Sequence, residues 1–318
     1  MNFIRNAAIA GALALVPAAA QTFNERPFDP PVGSRWQIVS QTDSEDTREA
    51  GQHREQHVHA VSEFGIEEKL ADGFRISSVS RNIAITGNAP GTAIVQTAFG
   101  AMKDLVVRVR TDRAGKPLAV ENVEEVRSKM RLIVDRMTAA LQGNPRVAEV
   151  VRTLLNGFMI VDGAEAARLY AGDVSQLAVA QNTGLKPGEV RRQIEQVSNP
   201  FGGTPIKSTL AMRIAAFDSA AGTVRYTRTR EMDPEAMRAF ILEVVHKLAP
   251  AANDKITPEM IEMMKRISFE MTSETTFDVA GGMTRSISDR DTTTASLLGH
   301  TFKKVETKVL TVTPLGKP

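Results

Sequence analysis

Three of the five histidines in this 318-residue chain fall in the run Gln52-His53-Arg54-Glu55-Gln56-His57-Val58-His59. Imidazole nitrogens are good ligands for zinc and other divalent transition metals, and a His-x-His pair on a strand presents two of them together. On a strand His53, Glu55, His57 and His59 share one face, because successive side chains point to opposite sides. Glu63 extends that face, so His53, His57, His59 and Glu63 form the candidate metal set. The set needs His246, His300 or a further carboxylate to complete a coordination sphere. The plainer reading of the same pattern is the solvated face of a strand. A helix is the other option, since Val58, Val61 and Phe64 also fit a helical stripe.

Motif spacing narrows the chemistry. Gly51, His57, His59 and Glu63 resemble the start of the cupin metal motif, but Leu70 stands where that motif has glycine and no second motif follows. Read as a helix, His53 and His57 have zincin spacing, with Arg54 where the general base belongs. Met260, Met263 and Met264 offer soft sulfur to copper, yet their spacing beside Ile261 and Ile267 is that of a helix core. Asp43, Glu45 and Asp46 lack the Gly and closing Glu of a calcium loop and read as an exposed turn. Arg225, Arg228 and Arg230 read as charges on a sheet edge. There is no cysteine, no Gly-x-Ser-x-Gly, no Ser-x-x-Lys and no phosphate-binding loop ending in Lys-Ser or Lys-Thr. The sequence therefore names no catalytic residue, and no cofactor beyond a transition metal.

Charge is balanced, with 39 Lys and Arg against 37 Asp and Glu, so nucleic acid is not an expected partner. Aromatic residues make up only 5%, too few for a base- or sugar-stacking groove. Residues 1–20 read as a signal peptide: Arg5 is positive, residues 7–16 are apolar, and Ala18-Ala19-Ala20 supplies the small residues of a cleavage site. Cleavage is expected near Ala20-Gln21. The apolar run is shorter than the roughly 20 residues that cross a bilayer. The mature protein is expected to be periplasmic or secreted, with no stable membrane span. Without cysteine it has neither disulfides nor an acylated anchor.

Long strands must position these residues. Residues 21–33, with Pro27, Pro30 and Pro31, read as an extended leader to a single α+β domain over 34–318. Residues 34–120 keep a period of two. Phe74 and Ile76 share one face, then Val79, Ile83 and Ile85 the other, which implies a β-bulge or two strands. Leu105, Val107 and Val109 alternate before a turn at residues 112–115. Residues 121–180 switch to helical period, with a stripe of Val123, Val126, Met130, Ile133, Met137 and Leu141. A second helix is expected from Asn144-Pro145 and a short third from the capping-box spacing of Asp162 and Glu165. Strands return over 189–231, where Leu210, Met212 and Ile214 alternate. Helices over 234–266 open at Asp233-Pro234-Glu235 and Thr257-Pro258-Glu259. Strands over 267–315 put Phe269, Met271, Ser273, Thr275, Phe277 and Val279 on one face. A hairpin is expected at Ala280-Gly281-Gly282, and Pro314 is expected to stop a last strand over 305–312.

Strands joined by short turns pair antiparallel, and helices arriving in clusters cover one face. The expectation is an α+β fold: a long curved antiparallel sheet, a half-barrel or open barrel, with helices packed on one face. With its signal peptide, long alternating strands and helices between strand blocks, this layout is similar to the half-barrel of bacterial periplasmic lipoprotein carriers. That resemblance implies an acyl chain held between a curved sheet and a helical lid. The expected function is non-enzymatic binding of an apolar ligand, a lipid or acyl chain, or of a hydrophobic segment of a partner. Phe99, Leu105, Met212, Phe269 and Met271 are the candidate lining. The alternatives are an envelope interaction module without a small ligand, and a metal-binding protein or metalloenzyme using the histidine cluster.

Overall fold

Alternation of apolar and polar side chains produces eleven strands among the described residues of the computed structural model. It describes residue 23 and residues 25–47, 53–89, 92–141, 162–178, 183–197, 204–252, 266–297 and 300–316, with isolated positions between 143 and 159 and at 262. The strands are β1 (Arg35–Thr47), β2 (His53–Lys69), β3 (Gly73–Gly87), β4 (Val106–Asp112), β5 (Pro117–Val120), β6 (Val190–Val197), β7 (Ile206–Asp218), β8 (Thr223–Met232), β9 (Ser268–Ala280), β10 (Met283–Leu297) and β11 (His300–Leu315). The helices are α1 (Thr92–Phe99), α2 (Val123–Ala140), α3 (Gly163–Tyr170), α4 (Gly172–Gln176) and α5 (Pro234–Ala252). The signal-peptide segment, the helix expected at Asn144-Pro145 and the methionines at 260–264 lie outside the described residues, apart from isolated positions.

All strands join one antiparallel sheet in the order β5-β4-β3-β2-β1-β11-β10-β9-β8-β7-β6. The chain enters at the centre with β1 and steps outward to β5. It crosses through α2, α3 and α4 to the opposite edge at β6 and steps back until β11 lies beside β1. The sheet does not close, and β5 and β6 are its edges. Short reversals make this path: Gly281 and Gly282 both have positive φ, 61° and 79°, in the expected β9–β10 hairpin. Asp233 caps α5, its Oδ1 accepting from the amides of Glu235 and Ala236 at 3.1 and 2.9 Å.

The change of phase in β3 is a bulge. Val61 of β2 pairs with Asn82, and its neighbour Ser62 pairs with Ser80, so Arg81 is the extra residue. The bulge returns Ile83 and Ile85 to the face of Phe74 and Ile76. β4 pairs with β3 only as far as Val79. Beyond it α1 docks on β3, and the Gln96 amide takes the place of a strand: its Oε1 accepts from Ile85 N, and its Nε2 donates to Ile83 O at 3.1 Å. The sequence pattern gave no sign of this helix.

One end of the sheet's inner face is closed. Phe64, Ile76, Val109, Tyr226, Phe277 and Leu310 meet there, with α3 and α4 contributing Ala166, Ala167 and Val174, and Leu177 following just after α4. α3 lies along β5, and Leu177 O accepts from Thr284 N at the start of β10, 3.1 Å away. The leader seals the same end as a strap. Phe28 is in the core, edge-on to Phe74 at 5.3 Å. Glu25 accepts from Thr183 N, Thr183 Oγ1, Gly184 N and the Tyr226 hydroxyl, all within 2.9–3.0 Å. Pro27 O presses so close to Gly282 that a Cβ there would lie 2.2 Å from it.

Three local expectations are corrected. Asp43, Glu45 and Asp46 belong to β1 rather than a turn, because β2 and β11 both pair with that stretch. Pro314 lies within β11, opposite Trp36. β10 pairs no further than Thr311, so the missing amide of Pro314 falls where β11 has a neighbour on one side only. Arg225, Arg228 and Arg230 are not on an edge, since β8 runs between β7 and β9.

Candidate functional site

The register lays the inner face out in rows that cross the sheet. The row Ile214-Tyr226-Phe277-Ile287-Leu310 belongs to the closed core. The next row outward is Met212-Arg228-Thr275-Asp289-Lys308, and the one after is Leu210-Arg230-Ser273-Asp291-Glu306. Further out, Met271 and Phe269 of β9 lie opposite Thr293 and Ala295. An apolar layer, a charged layer and a second apolar zone thus follow one another along the same strands. α5 lies against β7 and β9 at the outer zone, with Met237 buried.

The charged layer is linked side chain to side chain. Thr275 Oγ1 and Ser273 Oγ donate to Asp289 Oδ1 at 2.7 and 3.2 Å. Arg230 pairs with Glu195 at 2.9 Å, and Lys304 with Glu306 at 2.9 Å. Burial, and then the neighbouring Arg230, hold the Arg228 guanidinium below the usual arginine range. Burial pushes the Asp291 carboxyl up, with Asp289 and Glu306 adding to the rise.

Of the candidate lining residues, Met212, Phe269 and Met271 stand half-buried on the inner face of the same half of the sheet. Leu105 is elsewhere, buried in the closed core just before β4. Phe99 ends α1 and is 37% exposed. The structure therefore brings three of the five to one face. It also places Arg228, Arg230, Asp289, Asp291 and Glu306 on that face, which the sequence reading missed. A signal existed: in β8 the charges at 228 and 230 occupy the same phase as Tyr226 and Met232, against the alternation of the strand.

The histidines point the other way. His53, Glu55, His57 and His59 share the outer face of β2, opposite Thr47, Glu45, Asp43 and Gln41 of β1. His57 Nδ1 bonds Asp43 Oδ1 at 2.7 Å, which draws the imidazole pKa up. His53 Nε2 bonds Glu55 Oε1 at 2.7 Å. Glu63 lies about 13 Å along the strand from His59 and is held by Arg35 and Arg81 at 2.9 and 3.0 Å. His300 is exposed at the start of β11. Among the described residues no group of three or more His, Asp or Glu side chains converges on a point that could hold a metal ion.

One depression lies at the closed end of the inner face and another on the outer face. The first, of about 350 Å³, sits between the leader and the β7–β8 turn, lined by Phe23, Arg26, Phe217 and Tyr226 among others. The second, of about 440 Å³, lies beside β6, bordered by Arg192, Arg213, Thr227, Thr229 and Glu274. Among the described residues no helix is long and apolar enough to cross a membrane.

No protein-family model matches the sequence, and no curated protein matches it. Among solved structures, the chain is similar to one of lipovitellin, described for its lipid–protein interactions, at 9% identity and a TM-score of 0.45 over 91% of this chain and 26% of that one. It is also similar to an outer membrane channel of Pseudomonas putida, at 7% identity and a TM-score of 0.23 over 93% of this chain and all (100%) of that one. The chain spans about a quarter of the lipovitellin chain's length. Both likenesses are distant.

Proposed function

We propose that the protein binds an apolar ligand, a lipid or acyl chain, or a hydrophobic segment of an envelope partner, and does no chemistry on it. It acts outside the cytoplasm after losing residues 1–20. The observation that carries this reading is the half-buried set Met212, Met271 and Phe269 on the inner face of an open sheet, with α5 lying across β7 and β9. Apolar surface left partly wet in this position gains free energy when a ligand covers it, at about 25 cal/mol per Å².

A second reading, an envelope interaction module without a small ligand, draws on the β6 edge. That eight-residue strand leaves Ile194 67% and Val190 51% exposed, whereas β5 at the other edge is only four residues long and opens with proline. An unprotected edge can accept a strand from another chain.

Native mass spectrometry of the protein purified from its compartment separates these readings. Ligand binding predicts an added mass that organic extraction removes and that Met271→Glu abolishes while the variant still unfolds in a cooperative transition. A clean apoprotein mass overturns it in favour of the interaction module. The mass of one metal ion, lost to chelator, assigns the role to His53, His57 and His59 instead.

A further inference from the structure

Two guanidinium groups stand two residues apart in the charged layer of the inner face. Arg228 lies over the Phe277 ring, 4.8 Å from its centroid, and its Nη2 donates to Thr275 Oγ1 at 3.3 Å. Among the described residues no carboxylate comes within salt-bridge distance of it. Asp289, next in the row, is taken by the hydroxyls of Thr275 and Ser273. Arg230 is paired with Glu195, but its Nε–H is buried and has no acceptor. Burial and the adjacent Arg230 disfavour the charge on Arg228 and outweigh the pull of Asp289, Glu195 and Asp291, none of which contacts it. Two like charges with a spare buried donor, beside the apolar Met212 and Leu210, make half of a site whose other half is an anion. Guanidinium suits oxyanions because its N–H groups form a rigid planar fork.

We propose that Arg228, helped by the Arg230 Nε–H, anchors the anionic head of an amphiphile while its tail runs past Leu210 toward Met271 and Phe269. The inference rests on the reading of the inner face as an apolar binding site and names the class of ligand. Thr275, beside Arg228, is six residues from Phe269 along β9, about 20 Å, which is within the reach of a long acyl chain. The head carries carboxylate or phosphate oxygens, so a free fatty acid and an anionic phospholipid are its two sources.

Delipidated protein is titrated calorimetrically with oleate and with oleyl alcohol, which has the same tail and no charge. Oleate is expected to bind at least tenfold more tightly. Arg228→Gln removes that preference and leaves oleyl alcohol binding within twofold. Arg228→Lys keeps the charge, retains part of the preference and serves if the glutamine variant fails to fold. Arg225→Gln, on the outer face, changes neither affinity. Equal binding of the two probes by the unmodified protein overturns the anchor and leaves the apolar-site reading standing. Binding of neither overturns both. Vesicles of dioleoyl phosphatidylglycerol distinguish the sources: Arg228-dependent removal of phospholipid from them identifies a phosphate head, and oleate preference without such removal identifies a free carboxylate.

Discussion

At the end of the inner face closed by the leader and by α3 and α4, Phe64, Ile76, Phe277 and Leu310 are at most 2% exposed. Six residues from Phe277 on the same strand and face, Met271 is half-buried, and a charged layer separates the two. β9 pairs with β10 along both ends, but with β8 only as far as Thr272, so Phe277 has a strand on either side and Met271 has one on a single side. The difference comes also from what covers them. The closed end is covered by the chain's own apolar side chains, with Glu25 of the leader accepting from Thr183, Gly184 and Tyr226. Stability is concentrated there, and the outer zone is left with apolar surface to spare.

Mutations at the two ends should therefore separate sharply. Phe277→Ala is expected to cost about 3–5 kcal/mol in denaturant unfolding, against about 1 kcal/mol for Met271→Ala, because only the first opens a cavity in a filled core. Equal losses would mean that the two ends are packed alike. Trp36 is the chain's only tryptophan and stacks on Phe64 at 5.9 Å, so its fluorescence reports on the closed end.

A smaller loss, about 1–3 kcal/mol, is expected for Glu25→Ala, which strands the amides of Thr183 and Gly184 and the Tyr226 hydroxyl. The Trp36 transition should shift with it. An unchanged midpoint would show that the leader does not hold the closed end together.

In the charged layer the sign reverses. Because the folded Asp291 carboxyl titrates above its ordinary value of 3.8, the folded state holds the extra proton over the interval between the two values. Stability falls as pH rises through that interval and stays lower above it. Asp291→Asn is thus expected to raise the melting temperature at pH 7, with the gap closing as pH drops below 3.8. A lower melting temperature at pH 7 would contradict this account of the layer.

The smallest effect belongs to the outer face. Asp278 is held below the usual carboxylate range by Arg225, which donates to it at 2.7 Å, and by Ser286. Its contribution is present above the ordinary aspartate value and is lost as pH falls through the depressed one. Exposure and screening keep Asp278→Asn below about 1 kcal/mol at pH 7. Added salt should erase most of that loss, and a loss that persisted would place the pair among the buried ones.

Period and punctuation made much of the fold legible. The stripe from Val123 to Met137 became α2, the Asp233-Pro234 cap opened α5, and the phase change in β3 proved to be a bulge. Strand order was not legible in local pattern. The arginines of β8 were read as edge charges because nothing nearby says that β7 and β9 will flank them. Asp43, Glu45 and Asp46 were read as a turn because their partners come from the far end of the chain as well as from β2. The candidate site was half legible for a related reason. Met212, Met271 and Phe269 follow from alternation, whereas the arginines beside them interrupt it and acquire meaning only once the strands are in register.

The seam between β1 and β11 also has a consequence in time. Thirteen residues at the front of the domain, Arg35 to Thr47, pair with thirteen at its back, Lys303 to Leu315. A chain delivered from its N-terminus can build the β1–β5 meander early, but the middle of the sheet waits for the last residues to arrive. Until then β1 offers a bare strand edge to any neighbour, so folding is slow to finish and vulnerable to aggregation. Losing residues 303–315 would divide the sheet through its centre rather than trim its border, so β11 is less dispensable than either edge strand.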